Sequence, residues 1–127
     1  MTVFVAVAQN RRIVGTVAVK RVSSAHAHLR GMAVVPQFQG KGVAPALLTA
    51  ALRHCRQVDQ TWVTLETTVP LQRAARFYLD HGFRATGRFR HWGGMKLLEF
   101  ERILPKRTAT PRPASGPRSD GVRSTEP

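Results

Sequence analysis

The stretch VVPQFQGKGVAPALL, Val34 to Leu48, sets Gly40 and Gly42 around Lys41 where an apolar run gives way to a helical pattern. The first N–H groups of a helix have no intrahelical partner, and the helix dipole adds positive potential at that end. Glycine there lets a ligand reach the main chain with no side chain in the way. The turn can therefore hold a phosphate, with Lys41 adding charge, or it can be a plain strand-to-helix connection; local chemistry leaves both open. Pro45 suits either, because in the first helical turn it forfeits an N–H that no carbonyl would accept. Two familiar phosphate loops are excluded. A Walker loop needs Gly-Lys-Ser/Thr, and Lys41 is followed by Gly42. A dinucleotide fingerprint needs a third glycine and an acid about twenty positions on. Position 45 is proline, and no acid lies between Lys41 and Asp59.

Other reactive side chains are few. Glu66, in VTLETT, is the only carboxylate in the extended runs flanking the turn, and Tyr78 is the sole tyrosine. His26 and His28 share one strand face and can act as a base or a surface pair; with no third ligand beside them, no metal site is expected. His54 and Cys55 are adjacent on a helix and diverge, so they make no dyad. Trp62 and Trp92 are expected to pack.

The elements that must position these groups can be read from periodicity. VFVAVAQ and IVGTVAVKRV are β-branched runs separated by NRR, a hairpin, and AHLRGMAVV is a third extended run ended by Pro36. Ala44, Leu47, Leu48, Ala51, Leu52 and Cys55 form one apolar helical face, with Arg53 and Arg56 outward. WVTLETT returns to period two. Leu71, Ala74, Ala75 and Tyr78 share a second helical face, closed by Gly82. FRATGRFR, WGG and MKLLEFERIL read as a closing hairpin. The order β-β-β-α-β-α-β-β predicts a mixed α/β (α+β) fold, a mostly antiparallel sheet with helices packed on it.

With 127 residues the chain holds at most one domain, assigned to residues 1–104. Residues 105–127 carry five of the eight prolines and almost no large apolar residue, and are expected to be a disordered basic tail. The lone cysteine excludes an intramolecular disulfide and suits a reducing cytoplasm, the expected location. No apolar stretch is long enough for a transmembrane helix, so no membrane association is expected. The net charge of +13 draws anions generally. Its arginines are scattered over every segment, so nucleic acid is not the expected partner.

One resemblance is specific. QGKGVA (Gln39 to Ala44) resembles the Q/R-x-x-G-x-G/A signature of the GNAT acetyltransferase superfamily. RAARFYLDHGF resembles that family's A-x-x-x-Y helix ending in Gly-Phe, and GGMKLLEFERIL its last strand region. The likeness covers roughly residues 3 to 104. It implies acetyl-CoA as cosubstrate and no metal. The pyrophosphate would be wrapped by Gly40, Lys41, Gly42, Val43, Ala44 and Pro45, with Gln39 opening the motif and Pro45 giving shape only. The backbone of Met32, Ala33 and Val34 would pair with the pantetheine arm as an added strand. By the same likeness the activity is N-acetyl transfer to a primary amine in a ternary complex, with Glu66 as base and Tyr78 as acid. Against these roles stand a strand-edge glutamate paired with an arginine and a buried aromatic anchor.

The sequence departs from the pattern in two places. Leu71 stands where many members carry asparagine. The family's usual opening strand and two helices, which help form the acceptor site, do not precede the hairpin, so the acceptor half is expected to be reduced. Two other readings are carried: a non-catalytic acyl-CoA-binding module, and a basic nucleic-acid-associated protein. The acceptor amine is unspecified, whether small molecule or protein, and a homodimer is compatible with the chain.

Overall fold

The computed structural model describes residues 1–68, 72–106 and the backbone of 122–125. In chain order these form β1 (Thr2–Val7), β2 (Ile13–Arg21), β3 (His26–Val34), a 3-10 turn (Pro36–Phe38), α1 (Val43–Gln57), β4 (Trp62–Thr68), α2 (Gln72–Asp80), β5 (Arg84–Trp92), β6 (Met95–Ile103) and β7 (Val122–Thr125). The seven strands make one sheet in the order β5-β6-β4-β3-β2-β1-β7. Every pairing is antiparallel except that of β3 with β4. The element order through β6 is the expected one. Leu71 lies outside the described residues.

The period-two patterns bury one sheet face. Val17 and Val19 of β2, Ala27 and Leu29 of β3, and Val63 and Leu65 of β4 are buried, as are Leu47, Leu48, Ala51, Leu52 and Cys55 of α1. These residues form one hydrophobic cluster, and α1 rests on β1, β2 and β3. A fully buried leucine such as Leu47 contributes on the order of 2 kcal/mol through removal from water. The alternate positions, including His26, His28, Arg30, Trp62, Thr64 and Glu66, look out from the opposite face.

Two local devices close the chain neatly. Gly93 and Gly94 both have positive φ and join β5 to β6 as a two-residue hairpin of primed-turn type, with Trp92 opposite Met95. At the end of α2, Gly82 N–H donates to the Leu79 carbonyl and Phe83 N–H to the Tyr78 carbonyl, a Schellman cap on a glycine with φ of 88°.

Val122–Thr125 depart from the expected disordered tail. They add β7 to the outer edge of β1, with Ala6 opposite Val122 and Val3 opposite Thr125. An unpaired strand edge is a template for any extended segment. Residues 107–121, 126 and 127 of the same expectation lie outside the described residues.

Gly15 decides how closely α1 approaches the sheet. A Cβ there would sit 2.9 Å from Leu47 Cδ1, 2.9 Å from Val43 Cγ1 and 3.2 Å from the Ala33 carbonyl oxygen. Gly15→Val should therefore destabilise the domain by about 1–3 kcal/mol, read as a lower urea midpoint, because the first turn of α1 must lift from β2.

Candidate active site

Gly40 and Gly42 have φ of 76° and 85°, which L side chains rarely adopt, and a Cβ at either would meet nothing within 4 Å. These glycines serve the backbone's path and leave open space beside it. Gly42 is the N-cap of α1, with its carbonyl accepting from Ala46 N–H at 3.2 Å. The N–H groups of Gly40, Lys41, Gly42, Val43 and Ala44 have no hydrogen-bond partner among the described residues. Pro45, third in the helix, has none to offer. Gln39 is a tether: its Nε2 donates to the Val34 carbonyl at 3.0 Å and ties the turn to the end of β3. Lys41 directs its ammonium to 5.7 Å from the Phe38 ring centroid.

The strand before the turn is unpaired on one side. β3 and β4 pair only at His26–Trp62, Ala27–Val63 and His28–Thr64. β4 continues alongside β6 to Thr68, while β3 continues alongside β2 to Val34. The parallel pair thus splays open after His28. At that place β3 carries one extra residue relative to β2, with Gly31 at φ of 67° and its carbonyl accepting from Thr16 Oγ1 at 3.0 Å. A bulge of this kind bends a strand and redirects the residues beyond it.

A cavity of about 710 Å³ occupies the opening on the α1 side. Its walls are Met32–Val34, the turn from Phe38 to Pro45 without Lys41, and the α2 side chains of Arg73, Ala74, Phe77 and Tyr78, with His81 beyond. The expected cofactor residues therefore converge on one space, apart from Lys41. An apolar trough ending in free N–H groups at a helix start suits an elongated ligand with an anionic group at that end.

A family model of the acetyltransferase (GNAT) family matches residues 1–83. The chain belongs to the GNAT family. N-acetyltransferase 8B of Rattus norvegicus is 36% identical over 78 residues, a match spanning 60% of this chain and 35% of that protein. The chain thus spans about a third of the length of the curated relative it matches. Among solved structures, Ard1 from Thermoplasma volcanium is 28% identical with a TM-score of 0.69, covering 74% of this chain and 65% of that one. A GNAT family acetyltransferase from Elizabethkingia anophelis, solved with acetyl-CoA bound, has the same fold at 16% identity and a TM-score of 0.67, covering 76% of this chain and 72% of that one.

In this GNAT domain Tyr78 is nearly buried in the wall of the α1-side cavity, its ring edge-on to Phe77 and Phe83. Its phenol has no hydrogen-bond partner among the described residues, and burial pushes its pKa up. It stays protonated across neutral pH and has a proton to donate. The Schellman cap fixes it, since Phe83 N–H is bonded to the Tyr78 carbonyl.

Glu66 lies elsewhere, in a second cavity of about 580 Å³ on the open sheet face. Arg90 grips it with two hydrogen bonds, Nε to Oε2 at 2.7 Å and Nη2 to Oε1 at 2.8 Å. That bond holds its carboxyl below the usual range. The pairing has a structural cause: Glu66 stands directly opposite Glu99 on β6, and Arg90 and Arg88 neutralise one carboxylate each. Beside it, Thr64 Oγ1 lies 2.7 Å from His26 Nε2 and 2.8 Å from His28 Nδ1. Desolvation lowers the pKa of both imidazoles, so the neutral form of each predominates at pH 7. His26 stacks on Trp62 at 3.9 Å. Trp92, expected to pack, is 62% exposed and lines the second cavity.

Sequence reasoning does not single out Arg73, Phe77 and His81 in the first cavity, or Lys20, Arg30 and Arg90 in the second. One arginine among sixteen has no local signature, and only the packing of α2 and the placement of β2, β3 and β5 in the sheet identify these. Cys55 lies on the buried face of α1, as expected, and burial pushes its thiol up to about 11.

The Arg90 bond makes a signed prediction. A lowered folded-state pKa adds stability above the usual carboxylate range, and that stability is lost as pH falls through the lowered value. Arg90→Gln should therefore move the Glu66 carboxyl titration upward, followed by carbon NMR, and shrink the stability difference between neutral and acidic pH.

Proposed function

We propose that this domain transfers the acetyl group of acetyl-CoA to a primary amine in a ternary complex. Acetyl-CoA is a substrate of the α1-side cavity, its pyrophosphate on the N–H groups of Gly40 to Ala44 and its pantetheine along Met32 to Val34. The amine enters the open-face cavity. The observation that carries this reading is that consecutive residues of β3 line the two cavities, Gly31 in one and Met32 in the other, just past the point where β3 leaves β4.

An alkylamine with a pKa near 10 is only about one part in a thousand neutral at pH 7, so a group at the site must take its proton. Glu66 attracts the ammonium but, held by Arg90, is a weak base. His28 complements it. If Nδ1–H donates to Thr64, Nε2 carries a lone pair with no partner among the described residues, and the Thr64 hydroxyl donates on to His26 Nε2. A proton taken at His28 Nε2 can leave from Nδ1 through Thr64 to His26. As nitrogen bonds to the acetyl carbon and the C–S bond breaks, the Tyr78 phenol gives its proton to the departing sulfur.

The two oxygens of Glu66 held by Arg90 favour a second reading, an acyl-CoA-binding module without turnover. Calorimetry and thiol release separate the two. Gly42→Glu should abolish acetyl-CoA binding. Glu66→Gln and Tyr78→Phe should leave it intact while each slows turnover at least about tenfold. Acetyl-CoA binding with no thiol release across a panel of amines selects the binding module, and no binding sinks both readings.

A further inference from the structure

The cavity on the open face has an uneven charge plan. Lys20 stands opposite His28, and Arg30 opposite Ala18, so these two cations project from neighbouring strands on the same face. Both are exposed, and both line the cavity. Neither forms an ion pair or a side-chain hydrogen bond among the described residues, whereas Arg84, Arg88 and Arg90 are all engaged with Glu101, Glu99 and Glu66. The lone carboxylate of the cavity wall is thus already neutralised, and the wall keeps two unmatched positive charges. On the β5–β6 side the surface is apolar: Trp92 and Met95 flank the hairpin turn at 62% and 43% exposure, and Leu97 lies below them.

We infer that the acceptor is an amino-acid-like molecule: a primary amine bearing a compact oxyanion held by Lys20 and Arg30, with an apolar side chain laid on Trp92, Met95 and Leu97. The proposal deepens the acetyl-transfer reading and rests on it for the fate of the amine; the binding chemistry does not depend on it. Arg30 presents a planar fork suited to a carboxylate or phosphonate, and Lys20 adds a point charge. Burial chiefly, and the field of Arg30 to a lesser degree, keep His28 neutral against the opposing pull of Glu66. A polyamine or lysine-rich peptide would set its own charges against these two cations. An oxyanion placed there instead leaves the amine to face His28 and Glu66 across the same cavity.

The test uses three probes with one apolar body: L-phenylalanine, its phosphonate analogue and 2-phenylethylamine. Each is titrated calorimetrically into the full chain with coenzyme A present, after coenzyme A itself has been titrated. L-Phenylalanine or the phosphonate should bind at least about tenfold tighter than 2-phenylethylamine, and the tighter of the two identifies the oxyanion. Arg30→Gln and Lys20→Gln, at exposed positions that leave the core intact, should each remove most of that difference without weakening 2-phenylethylamine. Equal or tighter binding of 2-phenylethylamine overturns the inference, as does a preference that survives the double variant or no binding by any probe. Oxyanion-dependent binding in a chain that does not bind coenzyme A would uphold this inference and sink the acetyl-transfer reading.

Discussion

A β-strand has two edges, and each residue of β3 can satisfy only the neighbours that its path allows. β3 keeps β2 for its whole length but keeps β4 only as far as His28. The extra residue at Gly31, fixed by the Thr16 hydroxyl, turns the strand away from β4. The result is a wedge of unpaired main chain in the middle of a seven-stranded sheet, a costly arrangement unless something pairs with it. Both cavities open from this wedge. The glycine turn lies at its wide end because Gln39 ties it to Val34, and α1 reaches it because Gly15 lets the helix sit low.

The polar face of the sheet obeys a second constraint. β4 and β6 bring Glu66 and Glu99 together as direct cross-strand neighbours, which like charges do not tolerate unaided. β5 answers with three arginines, Arg84, Arg88 and Arg90. Part of the arginine-rich composition is therefore internal charge balance. Only the cations left over after this balancing are available to a ligand, and on this face they fall on β2 and β3. With the arginine of each pair exposed to solvent, such pairs contribute little to stability individually. Their value here is positional, since they set the orientation of Glu66 and the net charge of the cavity.

Much of this was legible in the sequence. The β-branched runs, the six apolar positions of α1 and the glycines flanking Lys41 each carry a local signature, and each stands where periodicity put it. The β3 and turn residues that line the α1-side cavity were legible for the same reason, being nearly contiguous in sequence. The other wall was not. Arg90 meets Glu66 across 24 positions, and His28 meets Thr64 across 36. Such contacts depend on strand order and on a one-residue bulge, and neither leaves a mark in composition or spacing. The short strand at Val122–Thr125 escaped for a related reason: four residues in a proline-rich context hold too little pattern, and their pairing depends on an edge more than a hundred residues away.

The buried cysteine of α1 has a practical side. Cys55 sits at full burial between the helix and the sheet, and its thiol ionises only well above neutral pH. A thiol-specific reagent reacts with the thiolate, so the folded domain is silent to it and the unfolded chain is not. A single core residue thus makes the protein its own reporter of opening: the rate at which alkylation appears under native conditions measures how often α1 lifts from the sheet. The same silence leaves free coenzyme A as the one thiol that such a reagent registers in a solution of the folded domain.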